Sequence, residues 1–171
     1  MTITKQIYTN SKGQLHSAHG CAYKSCYEGG STKTKAWYIN GKLHSDHCSA
    51  FRSYYENGND HIYIYAKCGK IHREDGPAIS CYYEDGTIAV EQYWTAGVIH
   101  RKQLFFEYDP SIITYYKSGR LRSKNFILHG KYLSEKECHH NYELYEDTPD
   151  NKVIKTEIRT EIPTYFKNLS K

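Results

Sequence analysis

Residues 69–94 read GKIHREDGPAISCYYEDGTIAVEQYW: a glycine, a histidine, a charged turn with a proline, then two alternating runs joined by a second glycine turn. The arrangement occurs more than once in the chain. Gly13, Gly41, Gly69 and Gly97 stand 28 residues apart, and each is followed three residues later by His16, His44, His72 or His100. Leu15, Leu43, Ile71 and Ile99 precede those histidines, and Ala22, Ala50 and Ala78 follow at the same spacing. Next come Tyr27, Tyr55 and Tyr83, then Glu28, Glu56 and Glu84, then Gly30, Gly58 and Gly86. Aromatic residues close the units at Trp37-Tyr38, Tyr65 and Tyr93-Trp94. Self-similarity at one fixed lag marks a repeat protein whose units stack to bury a shared core.

The fourth unit reads as a shortened one, RKQLFFEYDPSIITYYKSG, because Gly119 follows Gly97 by only 22 residues. A last partial unit reads NFILHGKYL. The expected organisation is a repeat region over residues 1–133, with units starting near Gly13, Gly41, Gly69, Gly97 and Gly119, and a C-terminal cap over 134–171.

Each unit translates into a β-hairpin. Asn40-Gly41 and Asp85-Gly86 are signals for type I′-like turns, which need positive φ. AFRSYY and HIYIYA in the second unit, and AISCYY and IAVEQYW in the third, alternate with the period of a strand. That alternation puts Ile62 and Ile64 on one side and Tyr63 and Tyr65 on the other. HREDGPA is then a tight connector in which Asp75-Gly76-Pro77 turns the chain, the proline keeping Gly76 out of the helical region. The predicted fold is all-β, an antiparallel β-hairpin repeat array with a short C-terminal helix and strand. Ser134 with Glu137 forms a capping box for that helix, TPDN at 148–151 a turn, and KVIKTEIRTEIPTYFKNL a strand ending or bulging at Pro163.

The composition agrees with sheet. Apolar residues make up 39% of 171, yet tyrosine alone has 18 copies, and aromatic side chains suit a pleated, half-buried surface. A net charge of +4 does not by itself indicate a nucleic-acid binder. Six cysteines would permit three disulfides in a secreted protein. The start MTITKQIYTNSKG has no apolar leader, and no window approaches a membrane span. The expectation is therefore a soluble, cytoplasmic, reduced protein.

The run GKIHREDGPAISCYYEDGTIAVEQYWTAGVIHR resembles a repeat family of bacteriophages, large DNA viruses and some bacteria, built on G-x-x-H-R-x-D-G-P-A, then Y-x-D-G, then W-x-x-x-G-x-x-H-R. That family is similar in turn to MORN repeats. The match is specific in the third unit; HSAHGCA and HSDHCSA lack the Arg, Asp and Pro, and HRKQLFF lacks the turn. The resemblance implies a curved or elongated sheet of hairpins serving as an interaction platform. It also implies a viral or phage origin, acting in the host cytoplasm on a host factor or defence component, and no shared chemistry.

The residues themselves support a binding function better than a catalytic one. Four histidines at equivalent places cannot form one active site, so His16, His44, His72 and His100 read as structural, hydrogen-bonding across the connector, as do Gly41, Gly69 and Gly97. Cys21, Cys26, Cys48, Cys68, Cys81 and Cys138 do not show the paired spacing of a structural zinc site, even with His44, His47, His139 and His140 nearby. Glu28, Glu56, Glu84, Asp75 and Asp85 lie at turns, where carboxylates bond to nearby backbone. No nucleophile elbow or phosphate loop occurs. The expectation is a non-enzyme with no cofactor and no metal.

Two surfaces are candidates for a partner. One is a tyrosine face with Tyr63, Tyr65, Tyr93 and Trp94; the other is a basic edge with Arg101, Lys102, Arg120 and Arg122. Tyr, Trp and Arg dominate protein interfaces, and the reading is a host-protein binder. Tyrosines interleaved with Lys24, Lys33, Lys35, Arg52, Arg73 and the edge residues leave a nucleotide or nucleic acid as the alternative. Sheet edges also allow a homo-oligomer, and sparse basic clusters count against a membrane surface.

Overall fold

The computed structural model describes residues 4–101 and 109–133. All regular elements among them are strands. The first unit holds β1 (Lys5–Ile7), β2 (Tyr23–Cys26), β3 (Thr32–Ala36), β4 (Tyr38–Ile39) and β5 (Lys42–Leu43). The second holds β6 (Phe51–Tyr54), β7 (Asp60–Ile64), β8 (Ala66–Lys67) and β9 (Lys70–Ile71). The third holds β10 (Ile79–Tyr82), β11 (Ile88–Gln92), β12 (Trp94–Thr95) and β13 (Val98–Ile99), and the fourth β14 (Ile112–Tyr115), β15 (Leu121–Asn125), β16 (Ile127–Leu128) and β17 (Lys131–Tyr132). Nine of these form one antiparallel sheet in the order β1-β2-β3-β6-β7-β10-β11-β14-β15, and the rest form short two-stranded pairs. The expected helix and strand of the cap, and its Cys138, lie outside the described residues.

A unit therefore contains two hairpins, a long one in the sheet and a short one beside it, rather than one hairpin and a connector. Their turns differ in kind. In the short hairpins both central residues have positive φ, Asn40 (49°) with Gly41 (76°), Cys68 (52°) with Gly69 (82°), and Ala96 (51°) with Gly97 (87°), the type I′ geometry. The first unit instead has a longer loop closed by Asn10 N–H donating to Gln14 O (2.9 Å). Asp85-Gly86 is not a type I′ turn. Tyr83 N–H donates to Thr87 O (2.8 Å), Gly86 N–H donates to Tyr83 O (2.9 Å), and only Gly86 has positive φ, making a three-residue loop with a glycine bulge. Asp85 turns its carboxylate onto the Thr87 N–H (2.9 Å), which a residue without positive φ can do.

The turns also reset the phase of the fourth unit. Gly119 N–H donates to Tyr116 O, the Gly86 pattern, whereas Gly130 repeats the Gly97 turn with His129 at positive φ. Gly130 lies 33 residues after Gly97. This unit is longer than the others, not shorter, and the extra residues fall between His100 and Ser111. GRLR at 119–122 mimics GKLH at 41–44, which explains the misreading.

The core lies on one face of the sheet. Ile62, Ile64, Ile79, Cys81 and Val90 pack there with Phe51, Ala36 and the short-hairpin residues Tyr38, Leu43 and Ala66. Ala22, Ala50, Ala78 and Ser111 occupy equivalent, almost fully buried positions. Their carbonyls accept from Tyr8, Trp37, Tyr65 and Tyr93 N–H where the two hairpins meet, so a larger side chain would force the hairpins apart.

Two ladders join successive units. On the short hairpins, His16, His44 and His72 Nδ1 accept from Asn40, Cys68 and Ala96 N–H (3.1, 3.1 and 3.3 Å). Beside them Gly41, Gly69 and Gly97 N–H donate to Leu15, Leu43 and Ile71 O (2.8 Å each). The histidine bond thus runs onward to the next unit's turn rather than across its own connector. At the long-hairpin turns, Tyr27, Tyr55 and Tyr83 hydroxyls donate to Tyr54, Tyr82 and Tyr115 O (2.8, 2.8 and 2.9 Å). Each such bond contributes about 1 kcal/mol. His100 breaks the pattern: its ring stacks on His129 with centroids 4.5 Å apart, and its Nδ1 is buried without a partner.

Candidate functional site

The register of the nine strands lines up one residue per strand on the face opposite the core. Gln6 sits opposite Lys24, Lys24 opposite Lys35, Lys35 opposite Arg52, and Arg52 opposite Tyr63. The row continues through Ser80, Glu91 and Ile113 to Lys124. Apart from buried Ser80, its members are half-buried or exposed.

Tyrosines flank this row and are held by arginines. Arg52 lies over the Tyr63 ring (4.9 Å to the centroid) and donates from Nε to Ser49 Oγ (2.6 Å). Tyr63 meets Tyr82 edge-on at 5.8 Å. Arg73 lies over Tyr65 and Arg101 over Tyr93, both at 4.0 Å. Arg73 also donates from Nη1 to Pro77 O (3.2 Å), and Arg101 to Pro110 O (3.4 Å) while facing Asp109 (3.8 Å). Asp109-Pro110 thus restores, after the inserted residues, the carbonyl that caps the connector arginine. Tyr115 donates to Glu91 Oε2 (2.9 Å).

These contacts keep the hydroxyls protonated. Burial, then hydrogen bonding to Asp60, pushes Tyr63 up strongly, and burial with Glu91 pushes Tyr115 up to about 12. Burial raises Tyr82 and Tyr93 as well. At neutral pH the face presents neutral hydroxyl donors and cations.

The two surfaces expected from the sequence are not separate. Tyr63, Tyr65 and Tyr93 share a face with Arg101, which stacks on one of them. Trp94 is elsewhere: it packs against the core and donates from Nε1 to Gln92 Oε1 (3.0 Å), because alternation from Tyr93 turns it inward. The basic edge also divides. Arg120 is exposed at the fourth long-hairpin turn, over Tyr116 at 5.2 Å, at the opposite end of the strands from Arg101. Arg122 is 2% exposed, its Nε and Nη2 without hydrogen-bond partners, and faces Tyr116 at 5.4 Å. Lys102 lies outside the described residues. Sequence reading passed over Lys24, Lys35 and Arg52 as a group, although all three were noted singly; only strand register makes them neighbours.

Among the described residues no group of three or more His, Cys, Asp or Glu comes together to hold a metal ion, and Cys21, Cys26, Cys48, Cys68 and Cys81 carry free thiols. No helix among them is long and apolar enough to cross a membrane. Comparison of the chain with protein-family models and with curated proteins finds no match in either.

Proposed function

We propose that the protein is a non-catalytic binding module that engages a protein partner through the outer face of its nine-stranded sheet. The observation that carries this reading is the continuous tyrosine and cation surface on the side away from the core. Its side chains are already ordered by arginine–tyrosine contacts, so little rotamer entropy remains to be lost on binding. Tyrosine and arginine are also the residues that concentrate binding energy at protein interfaces.

A nucleotide or nucleic acid is the weaker reading. Base stacking needs open ring faces, and Tyr63, Tyr65 and Tyr93 each have one face covered by a guanidinium. That the partner is a host protein, and the binder a viral or phage inhibitor acting in the host cytoplasm, rests on the sequence resemblance alone.

The test is capture from host lysate with tagged protein, with and without nuclease, beside a folded Y63A/Y82A variant. A stoichiometric protein that survives nuclease and is lost with the variant is expected. Recovery of nucleic acid alone, or retention of the protein by the variant, contradicts the reading.

A further inference from the structure

Lys24, Lys35 and Arg52 are directly opposed on three adjacent strands, β2, β3 and β6. Neighbouring strands lie about 4.8 Å apart, so three cations span roughly 10 Å in a line across the sheet. Like charges in directly opposed positions destabilise a sheet. Nothing in the fold offsets this: no salt bridge among the described residues engages any of the three. The carboxylates nearest along the face are engaged by hydroxyls, Asp60 by Tyr63 and Glu91 by Tyr115. Arg52 is fixed by neutral groups, the Ser49 hydroxyl and the Tyr63 ring, which orient its guanidinium without neutralising it.

We infer that the Lys24–Lys35–Arg52 row is the anchoring subsite of the binding face and takes an acidic segment of a protein partner, with carboxylates laid across β2, β3 and β6. This rests on the reading of the outer face as a protein-binding surface and adds the chemistry of what it binds. The pitch of the row matches side chains at i and i+3 or i+4 of a helix, which stand about 5–6 Å apart, so an acidic helix crossing the strands presents carboxylates in register with the cations. Nucleic acid would satisfy the same charges, but the neighbouring rings have guanidinium groups or another ring against them and offer no paired platform for bases. Charge complementarity of this kind sets encounter rate and orientation as well as affinity.

The test is fluorescence anisotropy with a labelled oligoglutamate, a neutral glycine–serine peptide and an oligothymidylate as probes. Wild-type protein is expected to bind oligoglutamate in preference to the other two, less tightly as salt rises. K24Q/K35Q is expected to weaken that binding roughly tenfold, as two or three surface ion pairs would, with a thermal midpoint equal to or above wild type. K24R/K35R is expected to keep it. Equal binding by wild type and K24Q/K35Q overturns the inference, as does absence of preference for oligoglutamate or tighter binding of oligothymidylate. A fall in thermal midpoint with K24Q/K35Q also overturns it, by giving the cations a structural role. If oligoglutamate fails while lysate capture still depends on Tyr63 and Tyr82, the acidic partner is wrong and the binding face stands; if capture fails too, both are wrong.

Discussion

Single residues in this fold act mainly through the unit that follows them. His72 accepts from the Ala96 N–H, and Ala96 holds a positive φ that costs a non-glycine residue about 1 kcal/mol. H72A is therefore expected to lower unfolding free energy by about 1 kcal/mol or more in urea titrations; an unchanged midpoint would remove the histidine ladder from the account. Y27F deletes only the hydroxyl that donates to Tyr54 O and is expected to cost about 1 kcal/mol by the same measurement. His100 gives a pH dependence. Burial, aided by stacked His129, lowers its pKa below 6.5 in the folded protein. The unfolded chain then binds the proton more readily, so this contribution is intact above pH 6.5 and is lost as pH falls below it. Melting curves across that range are expected to show a shallower acid loss for H100F than for wild type. The turn glycines and the histidines were legible as a pattern, but the bonds they make were not. A lag of 28 residues says that positions are equivalent, not that one unit's ring reaches the next unit's backbone.

At the level of the element, alternation sufficed for the long strands. Ile62 and Ile64 face the core and Tyr63 and Tyr65 the outer side, as HIYIYA implies. The short hairpins were harder to read beyond Asn40-Gly41, because Cys68 and Ala96 are poor turn formers by composition and hold positive φ through tertiary bonds to histidine. The connector hid the other lesson. HREDGPA signals a turn, yet it folds back so that Arg73 covers Tyr65 and caps Pro77 O, merging what read as an aromatic face and a basic edge. R73A is expected to cost about 1–2 kcal/mol from the lost ring and carbonyl contacts together, and R73K to recover part of it, both read from denaturant midpoints. Equal stability of R73A and wild type would mean that the connector holds its shape without the arginine.

Across the whole molecule, stacking of long hairpins generates a surface that no single unit possesses. Lys24 and Lys35 come from the first unit, Arg52 and Tyr63 from the second, and Glu91 from the third, yet one cross-strand row contains them all. Such a row is invisible in sequence because its members are separated by irregular intervals set by turn length. Its position away from the core makes the outer face the expected contact surface, with the short-hairpin turns outside it. The most direct test is lysine acetylation footprinting of the protein alone and with its captured partner. Lys24 and Lys35 are expected to lose reactivity on binding, while exposed Lys42, Lys70 and Lys117, which lie at the short- and long-hairpin turns, keep theirs. Protection of Lys42 and Lys70 with Lys24 and Lys35 still reactive would place the partner on the short hairpins and contradict the account.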